Sequence, residues 1–182
     1  MAKLVSKTYG DALFDLAVEE NKIDALVDEV KDVKEALIEN PELFKLLNHP
    51  KIVKEEKEKI IENIFDGKVS KELAGFLKII VSKGRQQDMI EILEYFINEV
   101  KDNKKIGVVS VTSAKPLTES QKERIEKRIA ETTEYRSLEM NYQVQEEIIG
   151  GLIIRIKDRV VDSSIRTKIE ELRKRLLKIQ LG

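Results

Sequence analysis

The 182-residue sequence predicts an α+β protein, with an antiparallel six-helix bundle over residues 1–105 and a small α/β domain over residues 106–182. Three observations predict this division. Up to about Lys105, apolar residues recur at the helical steps of three and four. Beyond it they alternate, as in strands that bury one face. Between the two patterns lies a short charged run, residues 101–105, which is the candidate linker.

A proline separates the second and third helices. Tyr9 begins the apolar face of the first helix, and Leu13 and Leu16 continue it. The second helix carries an apolar stripe at Ile23, Leu26, Val27, Val30, Val33 and Leu37. It should end at Asn40, because proline disfavours the helical conformation of the residue before it. Pro41 suits the first turn of a short third helix over residues 42–47.

Three more helices complete the predicted bundle. The fourth is marked by Ile52, Val53, Ile60, Ile61, Ile64 and Phe65, and Asp66-Gly67 ends it. Ser70 can cap the fifth, which runs to Lys83-Gly84. The sixth spans roughly residues 86–101. Short connections between apolar stripes favour antiparallel packing.

The second part predicts the order strand, helix, strand, strand, helix. Strands are expected over residues 106–113, 138–144 and 152–156, with a brief extended return at Val160-Val161. Thr118 and Gln121 have the spacing of a capping box for the helix between the first two strands. The last helix should show one apolar face, at Ile165, Ile169, Leu172, Leu176 and Ile179.

Composition argues against several functional classes. Charged residues are 37% of the chain, but their signs cancel to a formal charge of −1, which disfavours a dominant nucleic-acid or anionic-membrane role. The absence of cysteine excludes disulfides and thiol catalysis. No apolar run is long enough for a membrane span, and the N-terminus lacks the apolar core of a signal peptide. Any membrane association is therefore expected to be indirect, through a partner.

Catalytic and cofactor motifs are missing from the sequence. Phosphate-binding glycine loops are absent. His49 is the one histidine and lies between Asn48 and Pro50, where a residue at a helix end is a simpler interpretation than a catalytic base. The acidic residues alternate with lysines on helices, which is typical of a solvated face. We therefore expect no catalytic residue, no metal site, no cofactor and no enzymatic activity.

The segment 148–164 is the most informative stretch. Gly150-Gly151 favours a bulge where a strand changes direction, with a close-approach site for a ligand as the alternative. Asp162 precedes Ser163-Ser164 and a helix, so it is expected to make capping or turn hydrogen bonds rather than to act as an acid.

Two helical surfaces go beyond ordinary core patterns. The first and fifth helices each carry a second, smooth stripe, which indicates either a central position in the bundle or a groove for a partner helix. Ala12 and Gly75 are small enough to let such a helix come close. The last helix has a basic outer face, which is either solvated or a dock for an acidic partner. That face consists of Arg166, Lys168, Arg173, Lys174, Arg175 and Lys178.

Several motifs, in order along the whole chain, resemble one family. Residues 9–17 read YGDALFDLA and are similar to its Y-A-x-A-L-F-x-L-A opening. Residues 40–50, the Gly-Arg at 84–85 and residues 111–118 resemble its third helix, the end of its fifth helix and its first C-terminal strand. The most specific match runs through Gly150, Gly151, Asp158, Asp162, Ser164 and Arg166. The chain thus resembles the delta subunits of bacterial F-type ATP synthases, counterparts of the mitochondrial oligomycin-sensitivity-conferring protein.

Two positions depart from the family pattern. Gly10 replaces the usual alanine of the opening. Lys157 stands where a glycine commonly precedes the aspartate of the hairpin turn, so the turn type is left open.

The resemblance implies a non-catalytic stator subunit at the cytoplasmic face of the cell membrane. It implies that the helical bundle binds N-terminal helices of the alpha subunit, chiefly between its first and fifth helices. By matching position, the contacts with alpha would be Val5, Tyr9, Ala12, Gly75 and Ile79. It also implies that the C-terminal domain binds the b subunits of the peripheral stalk through the last helix and the preceding strands. This link would resist rotor torque during proton- or sodium-driven ATP synthesis.

The alternative from another class is an RNA-binding module in the C-terminal domain. Such modules use a Gly-x-x-Gly loop or surface aromatic residues that stack on bases. Here the two glycines are adjacent, and this half of the chain has Tyr135 and Tyr142 as its only aromatic residues. We therefore expect no nucleic-acid partner.

Overall fold

The computed structural model describes residues 2–179, and these divide into a helical unit up to Lys101 and a second unit from Asp102 onward. The helices of the first part are α1 (Ala2–Glu19), α2 (Ile23–Glu39), α3 (Pro41–Leu47), α4 (Lys54–Phe65), α5 (Lys71–Ser82) and α6 (Met89–Asn103). The predicted order of six helices is confirmed.

Two helix starts differ from the sequence prediction. Ile52 and Val53 lie outside α4, and Val53 is its extended N-cap residue. The reason is local: Pro50 begins a turn in which the backbone N–H of Lys51 donates to His49 Nδ1 at 3.3 Å. Residues 86–88 form a 3-10 turn, Gln86–Asp88, so α6 begins three residues later than predicted.

The helical unit is held together by one apolar core. The stripe predicted for α2 is buried at Leu26, Val27, Val30, Val33 and Leu37. α5 buries Leu73, Phe76, Leu77, Ile80 and Val81 in the same core, and α6 adds six more apolar residues. The predicted cap of α5 forms, because Ser70 Oγ accepts from the backbone N–H of Leu73 at 3.4 Å.

The second unit is a four-stranded sheet with two helices. Its elements are β1 (Ile106–Ser113), α7 (Glu119–Thr132), β2 (Ser137–Val144), β3 (Leu152–Ile156), β4 (Arg159–Asp162) and α8 (Ile165–Ile179). The spatial order is β2-β1-β3-β4, with β2 parallel to β1 and the other neighbours antiparallel. β4 is a full strand, so the predicted order gains one strand between β3 and the last helix.

α7 covers one face of the sheet only in part. Val109 and Val111 of β1 are buried beneath it together with Ile129. The capping box is present, since the backbone N–H of Thr118 donates to Gln121 Oε1 at 2.9 Å. Val161 of β4 pairs with Ile154 and is 64% exposed. Among the described residues, the part of this face along β4 is therefore left without a helical cover.

Candidate docking surfaces

The α1 residues singled out from the sequence differ in burial. Val5 and Tyr9 are half-buried and pack against the core of the helical unit, whereas Ala12 is exposed. These residues follow at steps of four and three along the helix, so they share one face. The face lies at the edge of the core rather than at its centre. At Ala12 the small side chain is exposed to solvent.

α5 presents a similar outer face. Gly75 is half-buried, and a side chain added to it would meet nothing within 4 Å. Ile79, one turn later, is 50% exposed although it is a large apolar residue. Of the two interpretations left open by the sequence, central burial is wrong for these positions. The structure leaves them as an apolar surface with no side chain of the described residues filling the space at Gly75.

α5 is linked to the region of α1 at its start and through the turn that follows it. At the start of α5, Glu72 Oε1 accepts from Lys22 Nζ at 2.6 Å, and Lys22 directly follows the turn after α1. At its other end, the turn Gln86–Asp88 contacts α1. Hydrogen bonding with Glu72 raises the pKa of Lys22, and the same bond lowers the pKa of Glu72. The structure thus links the start of α5 to the residue before α2, and the turn after α5 to α1.

The apolar face of α8 is exposed. The predicted face residues Ile165, Ile169, Leu172 and Leu176 are between 43% and 64% exposed, and Leu177 beside them is 51% exposed. The side chains of Lys178 and Ile179 lie outside the described residues. The sequence analysis missed Leu177, whose position next to Leu176 widens the strip. Helix α8 thus presents a row of large apolar side chains that the described chain leaves about half exposed.

Charged residues flank this apolar row. Arg166, Lys168, Arg173, Lys174 and Arg175 are all exposed. Arg166 Nε lies 3.6 Å from Glu170 Oε1, and Glu170 and Glu171 are the acidic residues of the helix. Positive charge therefore predominates around the exposed apolar strip.

The junction of β4 and α8 is fixed by hydrogen bonds. Asp162 Oδ1 accepts from the backbone N–H of Ser164 at 2.8 Å, and its Oδ2 accepts from Thr167 Oγ1 at 2.8 Å. Ser164 Oγ accepts from the backbone N–H of Thr167 at 3.2 Å. The backbone hydrogen bond from Ser164 is the main reason that the pKa of Asp162 is lowered. Of the capping or turn hydrogen bonds predicted for Asp162, the turn bond is present, and Ser164 is the residue that caps α8.

Gly150 and Gly151 lie in a bend before β3, so the predicted strand bulge is wrong. They allow the chain after β4 to pass close by. A Cβ on Gly151, whose φ is +80°, would collide with the carbonyl oxygen of Ser163. A Cβ on Gly150 would lie 2.8 Å from Ile165 Cδ1, and the Gly150 carbonyl accepts from the backbone N–H of Ile165 at 2.9 Å. The glycine pair therefore provides the space in which the start of α8 packs against the chain before β3.

The remaining motif residues lie on the surface. Asp158 is exposed in the two-residue turn between β3 and β4, beside Lys157, whose φ is +50°. Lys157 Nζ lies 2.7 Å from Asp102 Oδ2. A positive φ at the first turn residue alone is the pattern of a type II′ hairpin, which favours glycine there.

Within residues 2–179, no group of three or more His, Asp or Glu side chains is arranged to hold a metal ion. His49 occupies the turn after α3, as expected for a residue at a helix end. None of the helices in the described part of the chain is long and apolar enough to cross a membrane.

The two tyrosines of the second unit are engaged within the chain. Tyr142 is half-buried, and Lys122 Nζ lies 5.3 Å from the centre of its ring. Tyr135 is half-buried and fills the space above Gly107. Both rings are therefore packed against neighbouring residues of this unit rather than fully presented for stacking on bases.

Comparison with known proteins agrees with the motif order. Residues 5–176 match the family model described as "ATP synthase delta (OSCP) subunit". The chain belongs to this family. It is 55% identical to the ATP synthase subunit delta of Lachnoclostridium phytofermentans over 182 residues, which are the full length of both chains. It is 32% identical to the subunit of the same name from Brevibacillus brevis over 170 residues, covering 93% of this chain and 97% of that one.

The fold of the delta (OSCP) family recurs in a distant solved structure. A chain of the Toxoplasma gondii mitochondrial ATP synthase hexamer matches with a TM-score of 0.75 at 15% identity, covering 94% of this chain and 97% of that one. This likeness confirms the α+β fold class. Membership of the delta (OSCP) family makes the chain a structural subunit of an ATP synthase, with a place in the stator and no catalytic role of its own.

Proposed function

We propose that the chain links the top of the catalytic head to the peripheral stalk and so resists the torque of the rotor. The observation that supports this most is that each unit carries its own uncovered apolar surface. One lies on α1 and α5 of the helical unit, and the other is the row on α8. A linker between two large partners needs two such surfaces, and neither requires chemistry at an active site.

The helical unit would bind N-terminal helices of the alpha subunit. Val5, Tyr9, Ala12, Gly75 and Ile79 would contact them. An amphipathic helix gains affinity by laying its apolar face into a groove, and small groove residues permit close approach. Ala12 and Gly75 supply the small positions, while Ile79 supplies exposed apolar area. The half-buried Val5 and Tyr9 would connect this contact to the core.

The second unit would bind the b subunits of the stalk, with α8 as the main contact. Its apolar residues recur at steps of four, three and four, as in the seam of a coiled coil. The hydrogen-bonded junction at Asp162 and Ser164 fixes the start of this helix to the sheet. Force applied to α8 would therefore pass into the sheet rather than bend the junction.

The same proposal sets the location of the chain. It would lie at the cytoplasmic face of the cell membrane and reach the membrane only through its partners. Its role would be the same whether protons or sodium ions drive ATP synthesis, because in this position it would contact neither the ion path nor the nucleotide.

The head contact is tested with a peptide that copies the alpha N-terminus, titrated into the full chain. Amide signals of α1 and α5 should shift. Ala12→Trp should weaken binding about tenfold or more, because the large side chain would fill the groove. A tenfold loss of affinity corresponds to about 1.4 kcal/mol of binding free energy. Ala25→Trp is the matched control, because Ala25 is also an exposed helical alanine but lies on α2. Shifts confined to residues beyond 105 would contradict the assignment.

The stalk contact is tested with the soluble part of the b subunit from the same organism. The full chain should bind it, and it should shift the amide signals of α8 while leaving those of α1 and α5 in place. Purified chain alone should hydrolyse no ATP. Intrinsic turnover, or selective RNA binding at physiological salt in place of b binding, would refute the proposal.

A further inference from the structure

A second uncovered hollow lies between α7 and β3, apart from the exposed apolar row of α8 that serves as the main stalk contact in the proposal above. Its volume is about 580 Å³. It is lined by Leu117, Gln121, Arg124, Ile125, Arg128, Ile129, Gly151, Leu152 and Ile154. We call it the α7–β3 groove.

The floor of the α7–β3 groove is aliphatic. Ile129 is buried, and Leu117, Ile125, Leu152 and Ile154 are half-buried although they pack on the core of the sheet. The exposed surfaces of these four aliphatic residues thus lie together in one concave site. Burying apolar area there would be favourable, at about 25 cal/mol per Å² removed from water.

Two arginines rim the groove on the α7 side. Arg124 and Arg128 are both exposed and stand one helical turn apart. Arg124 Nε donates to the carbonyl oxygen of Ser120, and Arg128 Nη1 lies 3.6 Å from Glu131. Within residues 2–179, no acidic residue lines this groove. Paired guanidinium groups over an aliphatic floor fit a partner that carries carboxylates beside its apolar residues.

The larger hollow at the other end of β3 does not define a partner in this way. It measures about 870 Å³, and Ile154 lines both hollows. Its charged lining is mixed, with Asp102, Glu134 and Asp158 against Lys105, Lys157 and Arg159. Charge complementarity therefore points to a partner only at the α7–β3 groove.

The groove meets the start of α8. Gly151 lines the groove, and the same residue abuts the Ser163 carbonyl just before α8 begins. A second copy of α8 is a poor occupant, because its flanks carry Arg166, Lys168, Arg173, Lys174 and Arg175 and would face Arg124 and Arg128 with like charge. The exposed arginines instead favour an acidic amphipathic segment as the occupant.

We propose that the α7–β3 groove is a second docking site for the stalk partner, in which an acidic amphipathic helix places aliphatic side chains on Ile125 and Leu152 and carboxylates on Arg124 and Arg128. This inference rests on the proposed binding of the stalk. A contact on α8 alone leaves the partner free to turn about that helix. A second contact at the base of α8 removes this freedom and strengthens binding, because the two contacts belong to one assembly.

The test uses the full chain, the soluble part of the b subunit and titration calorimetry. Arg124→Glu should weaken binding about tenfold, as expected when a paired charge at an interface is reversed. Lys127→Glu is the matched control: Lys127 is exposed on the same helix but does not line the groove, and its reversal should change the affinity by less than about twofold. Both variants should keep the wild-type helical content and unfolding transition.

The outcomes separate this inference from the proposed function. If wild-type chain binds b and Arg124→Glu binds no worse than Lys127→Glu, the groove assignment is overturned while stalk binding stands. If wild-type chain does not bind b, both fall. If the free chain instead forms a dimer that Arg124→Glu dissociates, the occupant is a second copy and the acidic partner is refuted.

Discussion

The ring of Tyr95 in α6 occupies the space into which a side chain on Gly10 of α1 would project. A Cβ built on Gly10 would overlap Tyr95 Cδ1. The ring is held there by its hydroxyl, which donates to Asp11 Oδ1 at 2.9 Å. Burial is the main cause of the raised pKa of Tyr95. The hydroxyl therefore stays protonated, and can donate this hydrogen bond, well above neutral pH. This contact explains the departure from alanine at position 10.

Gly10→Ala should therefore destabilise the fold by about 1–3 kcal/mol, because overpacking outweighs the gain in helix propensity. Gly75→Ala is the matched control, since it also replaces a mid-helix glycine but meets open space. It should stabilise the fold by about 0.5–1 kcal/mol. Urea unfolding followed by far-ultraviolet circular dichroism measures both. Gly10→Ala combined with Tyr95→Leu should recover part of the loss, and equal effects of the two alanine variants would contradict the packing argument.

The hairpin turn offers a second comparison at one position. Lys157 has a φ of +50°, which glycine adopts without steric cost, and Lys157 also pairs with Asp102. Lys157→Ala removes the ion pair and keeps the strain, whereas Lys157→Gly removes both. We expect the glycine variant to be more stable than the alanine variant by about 1 kcal/mol. Denaturant midpoints measure the difference, and an alanine variant as stable as the glycine variant would show that the turn is unstrained.

The junction of β4 and α8 should respond to acid through Asp162. Its pKa in the folded chain is lowered from the ordinary value of 3.8, so the charged form stabilises the fold. This contribution is complete above the unfolded pKa and is lost as the pH falls through the folded pKa. Asp162→Asn should thus destabilise the chain at neutral pH and lose its effect in acid.

Ser164→Ala is the control for this pH dependence. It removes the cap that Ser164 Oγ offers to Thr167 and should cost about 1 kcal/mol with little change between neutral and acidic pH. Urea unfolding at several pH values measures both variants. If Asp162→Asn lowered the free energy of unfolding by the same amount at neutral and acidic pH, the charge of Asp162 would not be the source of its contribution.

The sequence predicted the elements because each is encoded locally. Periods of three and four residues mark α2, α5 and α6, whose apolar stripes are buried in the helical unit. Prolines and caps set the helix ends at Pro41 and Ser70. β1 was predicted to the residue, because a valine-rich run favours a strand.

What the sequence did not predict depends on contacts between distant residues. The role of Gly150-Gly151 depends on Ser163 and Ile165 approaching from beyond β4. The α7–β3 groove exists because α7 covers β1 and leaves Leu152 and Ile154 half-buried. An apolar stripe on a helix has the same pattern whether it faces a core or a partner. For that reason the exposure of α8 could not be read from its period.

The apolar row of α8 should therefore contribute to binding and not to stability. Leu172 and Leu176 are 57% and 64% exposed, so Leu172→Gln and Leu176→Gln should each change the free energy of unfolding by no more than about 0.5 kcal/mol. Leu77→Gln, at a fully buried leucine of α5, should instead unfold the helical unit at much lower urea.

Binding to the soluble part of b should fall about tenfold or more for each α8 variant, as for residues at the centre of an interface. Glu171→Gln, an exposed change to the same residue type on the same helix, should leave that binding intact. If the α8 variants instead destabilised the chain as Leu77→Gln does, the row would be packed in solution and would not be the free docking surface that stalk binding requires.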